Sequence, residues 1–168
     1  MNIATVEPWI EAPLRRYVDD ARARLALLLH PSGQVVAQAG FTRAIDVMTA
    51  CVLASAVHAT SGELGRLVDD RPFRGLHHAG PERQLYLAPA ETARGAYICL
   101  TVFDDESSLG LVRIYFDVLR KELVTAAPPL APLRGPTLAV DFERDLNANL
   151  AAMFGRGRGD QNGGDARI

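Results

Sequence analysis

The chain has 168 residues, a length that fits one compact domain able to fold around its own core. Hydrophobic residues make up 48% of the chain and charged residues 23%, which excludes a disordered protein. Eighteen basic and 20 acidic residues leave a net charge of -2, which argues against a nucleic-acid binder or a protein held on anionic membranes. The two cysteines, Cys51 and Cys99, lie in apolar runs and are too few for a disulfide framework, so we expect reduced, buried thiols.

The chain opens without a charged and then apolar leader, and no uninterrupted apolar run approaches the ~20 residues that span a bilayer. We therefore expect a soluble, cytoplasmic protein with no membrane partner. Composition divides the chain into a lead at 1–8, a patterned domain at 9–125, a proline-rich linker at 126–136, a helical segment at 137–154 and a Gly/Arg tail at 155–168. The tail holds almost no apolar surface and is predicted to be disordered.

Hydrophobic periodicity predicts a helix, two strands, a long helix, three strands and a final helix. The predicted bounds are 9–23, 24–30, 34–40, 41–68, 73–79, 83–88, 96–103 and 109–123. Residues 24–30 and 96–103 are apolar on both faces, which is typical of strands covered on both sides. Residues 73–79 are short and polar, as an edge strand would be. The order predicts an α+β fold in which a five-stranded antiparallel sheet is sandwiched between the long helix and the two terminal helices.

The long predicted helix within 41–68 is the most informative segment. Between Ala44 and Ala59 its only ionisable residues are Asp46 and His58, so it is apolar nearly all round. A surface helix has one apolar stripe and a charged face, whereas a helix that is apolar all round must be covered on all sides. One sheet covers one side only, and we therefore expect a second chain to cover the other.

The residue types that carry chemistry form no assembled site in this sequence. Gly62-Glu63-Leu64-Gly65 lacks the Lys and the hydroxyl residue that complete a phosphate-binding loop. His77 and His78 are adjacent, so on a strand they point to opposite faces and cannot chelate one ion together. The acidic run 104–106 precedes the last helix, where its charge suits the helix N-terminus and Ser107 can act as the cap. We therefore expect no cofactor, no metal and no catalytic residue.

Four stretches in unbroken order carry a resemblance to a known family: LLLHPSGQVVAQAG, an alanine-rich helix ending SGELGRLV, FRGLHHAG and FDDESSLGLVRI. Together they resemble the roadblock (dynein light chain) family over about residues 9–125. The particular likeness is to bacterial members of that family. It rests on AGFTRAID at the start of the long helix, FDDESSLGLVR at the start of the last helix, and a further helix after a proline-rich linker.

The resemblance implies a homodimer in which the long helices pair and the sheets join edge to edge. It implies a regulator without enzymatic activity of its own that acts on a Ras-like small GTPase, with two protomers for each GTPase. Such a regulator docks on the switch regions and accelerates GTP hydrolysis without an arginine finger. In some relatives the C-terminal helix also bears on nucleotide exchange. Cell polarity and motility are the processes implied, with the protein in the cytoplasm or concentrated at a cell pole.

Carried onto this sequence, the resemblance implies three groups of residues. The GTPase-binding side of the long helix would be Val52, Ser55, Ala56, Ala59 and Glu63. The dimer interface would be Ile45, Met48, Val52, Phe73, Leu76 and His78. The C-terminal helix would contact the GTPase or its own dimer through Leu138, Phe142, Leu146 and Leu150, which recur at i, i+4 spacing. The small residues of the first group equally predict close packing within the homodimer.

Two further functions stay open. A roadblock scaffold would dimerise and bridge partner proteins without altering any GTPase rate. A small-molecule sensor would need a cavity with convergent polar groups, which a core of Leu, Val and Ala does not favour. The sequence does not separate a GTPase regulator from a scaffold, because activation without a catalytic side chain leaves no motif.

Overall fold

The computed structural model describes residues 7–41 and 46–129, which form three helices and one five-stranded antiparallel sheet. The helices are α1 (Pro8–Asp20), α2 (Val47–Asp69) and α3 (Leu109–Ala126). The strands are β1 (Leu25–Leu29), β2 (Val35–Gly40), β3 (Leu76–Ala79), β4 (Gln84–Thr92) and β5 (Gly95–Phe103). The predicted order of elements and the antiparallel sheet are confirmed.

The strands are ordered β2-β1-β5-β4-β3, so β1 and β5 lie in the interior of the sheet and β2 and β3 form its edges. All five residues of β1 are buried, as are the last seven residues of β5, because both faces of these strands are covered. Three of the four residues of β3 are exposed, in keeping with its edge position. The prediction of an edge strand within 73–79 is confirmed, with the strand limited to Leu76–Ala79.

The sheet is covered by α2 on one face and by α1 and α3 on the other. Leu25 and Leu27 of β1 face α2 and pack in one cluster with Cys51 of that helix. The alternate residues Ala26 and Leu28 belong to the second cluster, which α1 and α3 complete. Strands that are apolar on both faces thus hold two apolar layers together, and the predicted sandwich is confirmed.

The fourth strand is longer than the sequence predicts, because Pro89 does not end it. β4 continues to Thr92, where a two-residue turn leads to Gly95 of β5. β3 pairs with β4 only as far as Leu87, so beyond that residue β4 is itself an edge of the sheet. A proline has no N–H to donate and is tolerated in a strand whose outer side has no partner strand.

The cap of the last helix differs from the prediction. Ser108 caps α3, since its Oγ accepts a hydrogen bond from the backbone N–H of Leu111 at 3.2 Å. The prediction of Ser107 as the cap is wrong, because the Ser107 hydroxyl donates to the carbonyl oxygen of Ala21. Either serine satisfies the preference for a hydroxyl at a helix N-terminus, and the contact with the end of α1 decides between them.

The end of α2 is packed tightly under the connection to β3. The helix begins after Asp46, whose carboxylate accepts a backbone N–H in the first turn, and ends at Asp69, with Asp70 as its C-cap in the left-handed conformation. A Cβ built on Gly65 would lie 2.6 Å from the backbone nitrogen of Phe73, so the connection passes directly against the helix. Phe73, predicted in the edge strand, therefore lies in the connection instead.

Two glycines of α2 provide a matched test of this packing. Nothing lies within 4 Å of a Cβ built on Gly62, so Gly62→Ala should raise the free energy of unfolding by about 0.5–1 kcal/mol through helix propensity. Gly65→Ala should lower it by about 1–3 kcal/mol, because the added Cβ meets the backbone of Arg71 and Phe73. Urea unfolding followed by circular dichroism measures both values. Similar effects of the two substitutions would contradict the packing of the connection on α2.

Candidate functional site

α2 meets the sheet through a narrow stripe of small side chains. Of its 23 residues, only Cys51, Ala54 and Gly65 are buried. Their spacing of three and eleven residues places them on one side of an α-helix. Val47 and Ala50, which are partly buried, pack against the same cluster. The sheet therefore covers one side of α2.

The remaining sides of α2 carry large apolar side chains that are open to water. Leu67 is 83% exposed, Met48 67% and Leu53 60%. The other exposed large apolar residues of the helix are Val52, Val57, Leu64 and Val68. Single exposed apolar side chains are common on proteins, whereas contiguous patches mark interaction sites. The prediction that one sheet leaves part of this helix uncovered is confirmed.

One exposed side of α2 runs beside the turn between β1 and β2, and we call it the hairpin flank. It consists of Met48, Val52, Ala56, Ala59 and Glu63, at intervals of three and four residues. Ser55, next to this flank, donates a hydrogen bond from its hydroxyl to the carbonyl oxygen of Pro31 in the turn. A Cβ built on Gly33 of the same turn would lie 3.3 Å from the Cα of Val52. The two alanines of the flank permit another surface to approach the helix closely.

The other exposed side of α2 faces the β3 edge, and we call it the strand flank. It consists of Leu53, Val57 and Leu64, at intervals of four and seven residues. Between this flank and the sheet lies an apolar groove of about 560 Å³, lined by side chains of α2, β1, β4 and β5 and by His78 of β3. Among the described side chains that line the groove, His78 is the one that is polar.

The structure brings the predicted GTPase-binding residues together. Val52, Ala56, Ala59 and Glu63 are all exposed on the hairpin flank. Ser55 lies next to this flank, where its hydroxyl is hydrogen-bonded to the β1–β2 turn, and it is half-buried. These positions form one continuous surface, whose binding partner stays a prediction.

The predicted dimer-interface residues do not form one surface. Leu76 and His78 lie on the α2 face of β3, beside the groove and the strand flank. Met48 and Val52 lie on the hairpin flank, and Phe73 lies in the connection before β3. The remaining predicted site residues, which are Ile45, Leu138, Phe142, Leu146 and Leu150, lie outside the described residues.

Sequence reasoning missed the strand flank. In a helix that is apolar nearly all round, hydrophobic periodicity does not distinguish the covered side from the exposed side. Side-chain size is the usable difference, because the residues against the sheet, such as Cys51 and Ala54, are small, and Leu53 and Val57 are large. The large apolar side chains in the contact between α2 and the sheet are instead the leucines of the sheet.

Glu63, the acidic residue of the hairpin flank, forms an ion pair. The carboxylate of Glu63 accepts a hydrogen bond from the guanidinium of Arg66, one turn further along α2. Both side chains are more than half exposed, so the pair contributes little to stability. A partner that docks on this flank therefore meets a paired dipole instead of an isolated negative charge.

The residue types examined for chemistry in the sequence are placed as follows among the described residues. Residues 7–41 and 46–129 bring together no group of three His, Cys, Asp or Glu that could hold a metal ion. His77 and His78 point to opposite faces of β3, as predicted. The acidic run before α3 is engaged by Arg24, whose guanidinium binds both Asp104 and Glu106 and lowers the pKa of Asp104.

By length and composition alone, α2 could also cross a membrane, with a mean hydropathy of 1.2 over an 18-residue window. Helices that pack inside proteins meet the same criterion, so this is weak evidence for a span. In this fold α2 packs on a sheet through Cys51 and Ala54 and carries the exposed Glu63–Arg66 pair. That combination fits a helix whose outer side is covered by protein.

The thiol of Cys51 tests whether α2 stays on the sheet. Burial raises the pKa of the Cys99 thiol to about 12 and also raises the pKa of the Cys51 thiol. The thiolate is the reactive form, so at about pH 8 we expect neither cysteine to react with iodoacetamide before the protein unfolds. Mass spectrometry after timed labelling measures both sites. Fast labelling of Cys51 with protection of Cys99 would mean that α2 leaves the sheet.

Comparison with solved structures finds several similar folds. MglB from Myxococcus xanthus matches with a TM-score of 0.65 and 28% sequence identity, over 71% of this chain and 95% of that chain. The gliding protein MglB from Thermus thermophilus matches with a TM-score of 0.62 and 23% identity, over 71% of this chain and 88% of that chain. A Roadblock/LC7 domain from Streptomyces avermitilis matches with a TM-score of 0.56 and 16% identity, over 71% of this chain and 95% of that chain. No family model and no curated protein matches the chain.

Proposed function

We infer the function from one premise, which is that this chain is a roadblock-fold protein similar to MglB. We propose that it is a homodimeric regulator of a Ras-like small GTPase of the MglA type. It accelerates GTP hydrolysis, and promotes nucleotide exchange as a second activity, by docking on the switch regions and reorienting them without an arginine finger. It acts in the cytoplasm, concentrated at a cell pole, in cell polarity or motility.

The observation that supports this proposal is the uncovered apolar surface of α2. Within residues 7–41 and 46–129, both the hairpin flank and the strand flank are open to water, and each flank has a different chemistry. The strand flank is built of large aliphatic side chains beside a groove and a sheet edge. The hairpin flank combines Met48 and Val52 with the small side chains of Ala56 and Ala59 and ends in one ion pair. Two flanks of different character suit two different partners.

The strand flank suits a second copy of the chain. β3 is an edge strand, and an uncovered edge otherwise invites pairing with unrelated chains. A two-fold axis beside β3 would join the two sheets and bring the two strand flanks together over the two grooves. The helix of 23 residues is about 35 Å long, which leaves room for the ~800 Å² per partner that a stable interface buries. The proposed interface therefore adds Leu53 and Val57 to the predicted Leu76 and His78.

The hairpin flank suits the GTPase. Pairing through the strand flanks leaves both hairpin flanks of the dimer open, in keeping with two protomers for each GTPase. Ala56 and Ala59 allow the backbone of a switch region to approach the helix closely, where larger side chains would hold it away. The guanidinium of Arg66 is paired with Glu63, which suits a regulator that acts by positioning instead of by inserting an arginine.

Leu53→Asp should convert the dimer to a monomer at micromolar concentration. The side chain is 60% exposed in the single chain, so folding should be preserved, whereas a carboxylate buried at the interface would be unpaired. Ile114→Asp is the matched control, because Ile114 is 64% exposed on α3, on the opposite face of the sheet. Sedimentation velocity measures the mass of each protein. A monomeric parent protein, or a dimeric Leu53→Asp variant, is incompatible with the proposed interface.

Ala59→Arg should abolish the acceleration of GTP hydrolysis and leave the dimer intact. The added side chain is long and charged, and it would hold a docked switch region away from the hairpin flank. Ala93→Arg is the matched control, because Ala93 is exposed in the turn between β4 and β5. Single-turnover GTP hydrolysis by a Ras-like GTPase from the same genome, with an excess of each variant, measures the effect. We expect a loss of at least about tenfold for Ala59→Arg alone, which corresponds to ~1.4 kcal/mol of barrier.

A scaffold that bridges partner proteins is the alternative. The pairing of Arg66 with Glu63 is also what a surface built for contact alone would show. A scaffold would form a complex with the GTPase on gel filtration and leave its hydrolysis rate unchanged. A regulator would form the complex and raise the rate, and normal acceleration by a folded Ala59→Arg dimer would rule out the hairpin flank as the docking surface.

A further inference from the structure

Two adjacent histidines occupy the centre of the four-residue edge strand β3. His77 faces α1 and α3, with its ring stacked on Phe103 at a centroid distance of 6.0 Å and its Nε2 atom 2.8 Å from Gln84 Oε1. His78 faces α2 and lines the apolar groove. Both imidazoles are exposed in the single chain. Their surroundings therefore change when a second strand pairs with β3.

The symmetry of an edge-to-edge dimer determines which residues of β3 meet. This step rests on the proposed homodimer, in which the two sheets join and both α2 helices lie on the same side. A two-fold axis perpendicular to the joined sheet keeps every residue on its own face of the sheet. Even-numbered residues of β3 therefore pair with even-numbered residues of the partner's β3, and odd-numbered residues pair with odd-numbered residues. The axis must then pass through a residue position, and the residue there faces its own copy.

Two such registers pair three of the four residues of β3 in each copy. The first centres on His77, which faces the partner's His77 while Leu76 faces the partner's His78. The second centres on His78, which faces the partner's His78 while His77 faces the partner's Ala79. In both registers an imidazole lies directly opposite its own copy, with the two Cβ atoms about 4.5–5.5 Å apart.

We propose that these edge histidines make self-association pH-dependent, so that the dimer weakens as the pH falls from about 7.5 to 5.5. Like charges directly opposite each other destabilise a pair of strands, and histidine is the side chain that gains its charge in this range. Association therefore favours the neutral imidazoles and releases protons. An equilibrium that releases protons shifts toward monomers when the pH falls.

The groups that face His78 leave its charge uncompensated. The groove around it is lined by aliphatic side chains of α2, β1, β4 and β5, and its neighbour on β4 is Leu85. Cys51 of α2 belongs to this layer, and burial raises the pKa of its thiol, so it stays neutral. Burial lowers the pKa of His58 of α2, so His58 gains its charge at a lower pH. Within the described residues, His78 forms no ion pair.

The groups that face His77 are also uncharged near neutral pH. They are the amide of Gln84, the ring of Phe103 and the phenol of Tyr86, which is the cross-strand neighbour of His77 and whose pKa is raised by burial. The charged groups of α3 that act on that phenol are Arg113, Asp117 and Arg120, which together bring no excess of negative charge. Two protonated copies of His77 that face each other would therefore repel. No negatively charged group among these neighbours compensates their positive charges.

The test measures the dimer dissociation constant at about pH 7.5 and 5.5 by sedimentation, in buffer with EDTA so that metal ions do not bridge the imidazoles. The parent Kd should rise by about tenfold or more, which corresponds to one or more protons released on association. His77→Gln with His78→Gln in one chain should reduce this change to less than about twofold. His30→Gln, in the β1–β2 turn, is the matched control and should keep the full pH dependence.

The two single variants identify the register, because the histidine on the axis should account for most of the change. A parent protein that is monomeric at about pH 7.5 would overturn the proposed homodimer itself. A parent dimer with the same Kd at both pH values would overturn the pH dependence alone. A pH dependence that persists in the double variant would overturn the assignment to β3.

Discussion

The packing of α2 on the sheet constrains the rest of the molecule. The helix approaches the strands closely because Cys51 and Ala54 are small, and the leucines of β1 supply the bulk beneath them. Large side chains such as Leu53 and Leu67 are therefore placed outside the contact and remain exposed. A helix with the opposite distribution would bury its own leucines and could stand alone on the sheet. Because α2 does not, the described residues 7–41 and 46–129 leave part of the apolar surface of this helix without a contact.

The local patterns of the sequence were sufficient to predict the elements and their layers. Alternation in β1 places Leu25 and Leu27 on one face and Ala26 on the other, and strands with two apolar faces require helices on both sides of the sheet. The features that were not predicted depend on tertiary neighbours. β4 continues through Pro89 because β3 has already ended, and the cap of α3 moves by one residue because the hydroxyl of Ser107 is engaged by the end of α1. Neither feature can be recognised from the residues adjacent to it in the sequence.

The candidate site was predictable in part, for a related reason. The resemblance grouped Ala56 and Ala59, and the structure places both on one exposed surface of α2. It did not separate that surface from the strand flank, because a helix needs a polar face before periodicity can fix its orientation, and here polar residues are too few. Met48 was therefore grouped with β3, although it lies on the flank beside the β1–β2 turn. The sequence predicts that a second surface must cover α2, and the structure adds that two different surfaces are open.

Apolar contact provides affinity without direction, so the specificity of this surface must come from its few directional groups. Beside the strand flank these are the edge of β3, whose backbone groups admit discrete registers only, and His78, which lines the groove. On the hairpin flank they are Glu63 and Arg66, which present a dipole near the end of α2. Because the two sets lie on different sides of the helix, occupation of one flank does not cover the other. Under the proposed function, a second copy and a GTPase therefore share one helix without competing, and a change in self-association alters how many hairpin flanks a GTPase meets at once.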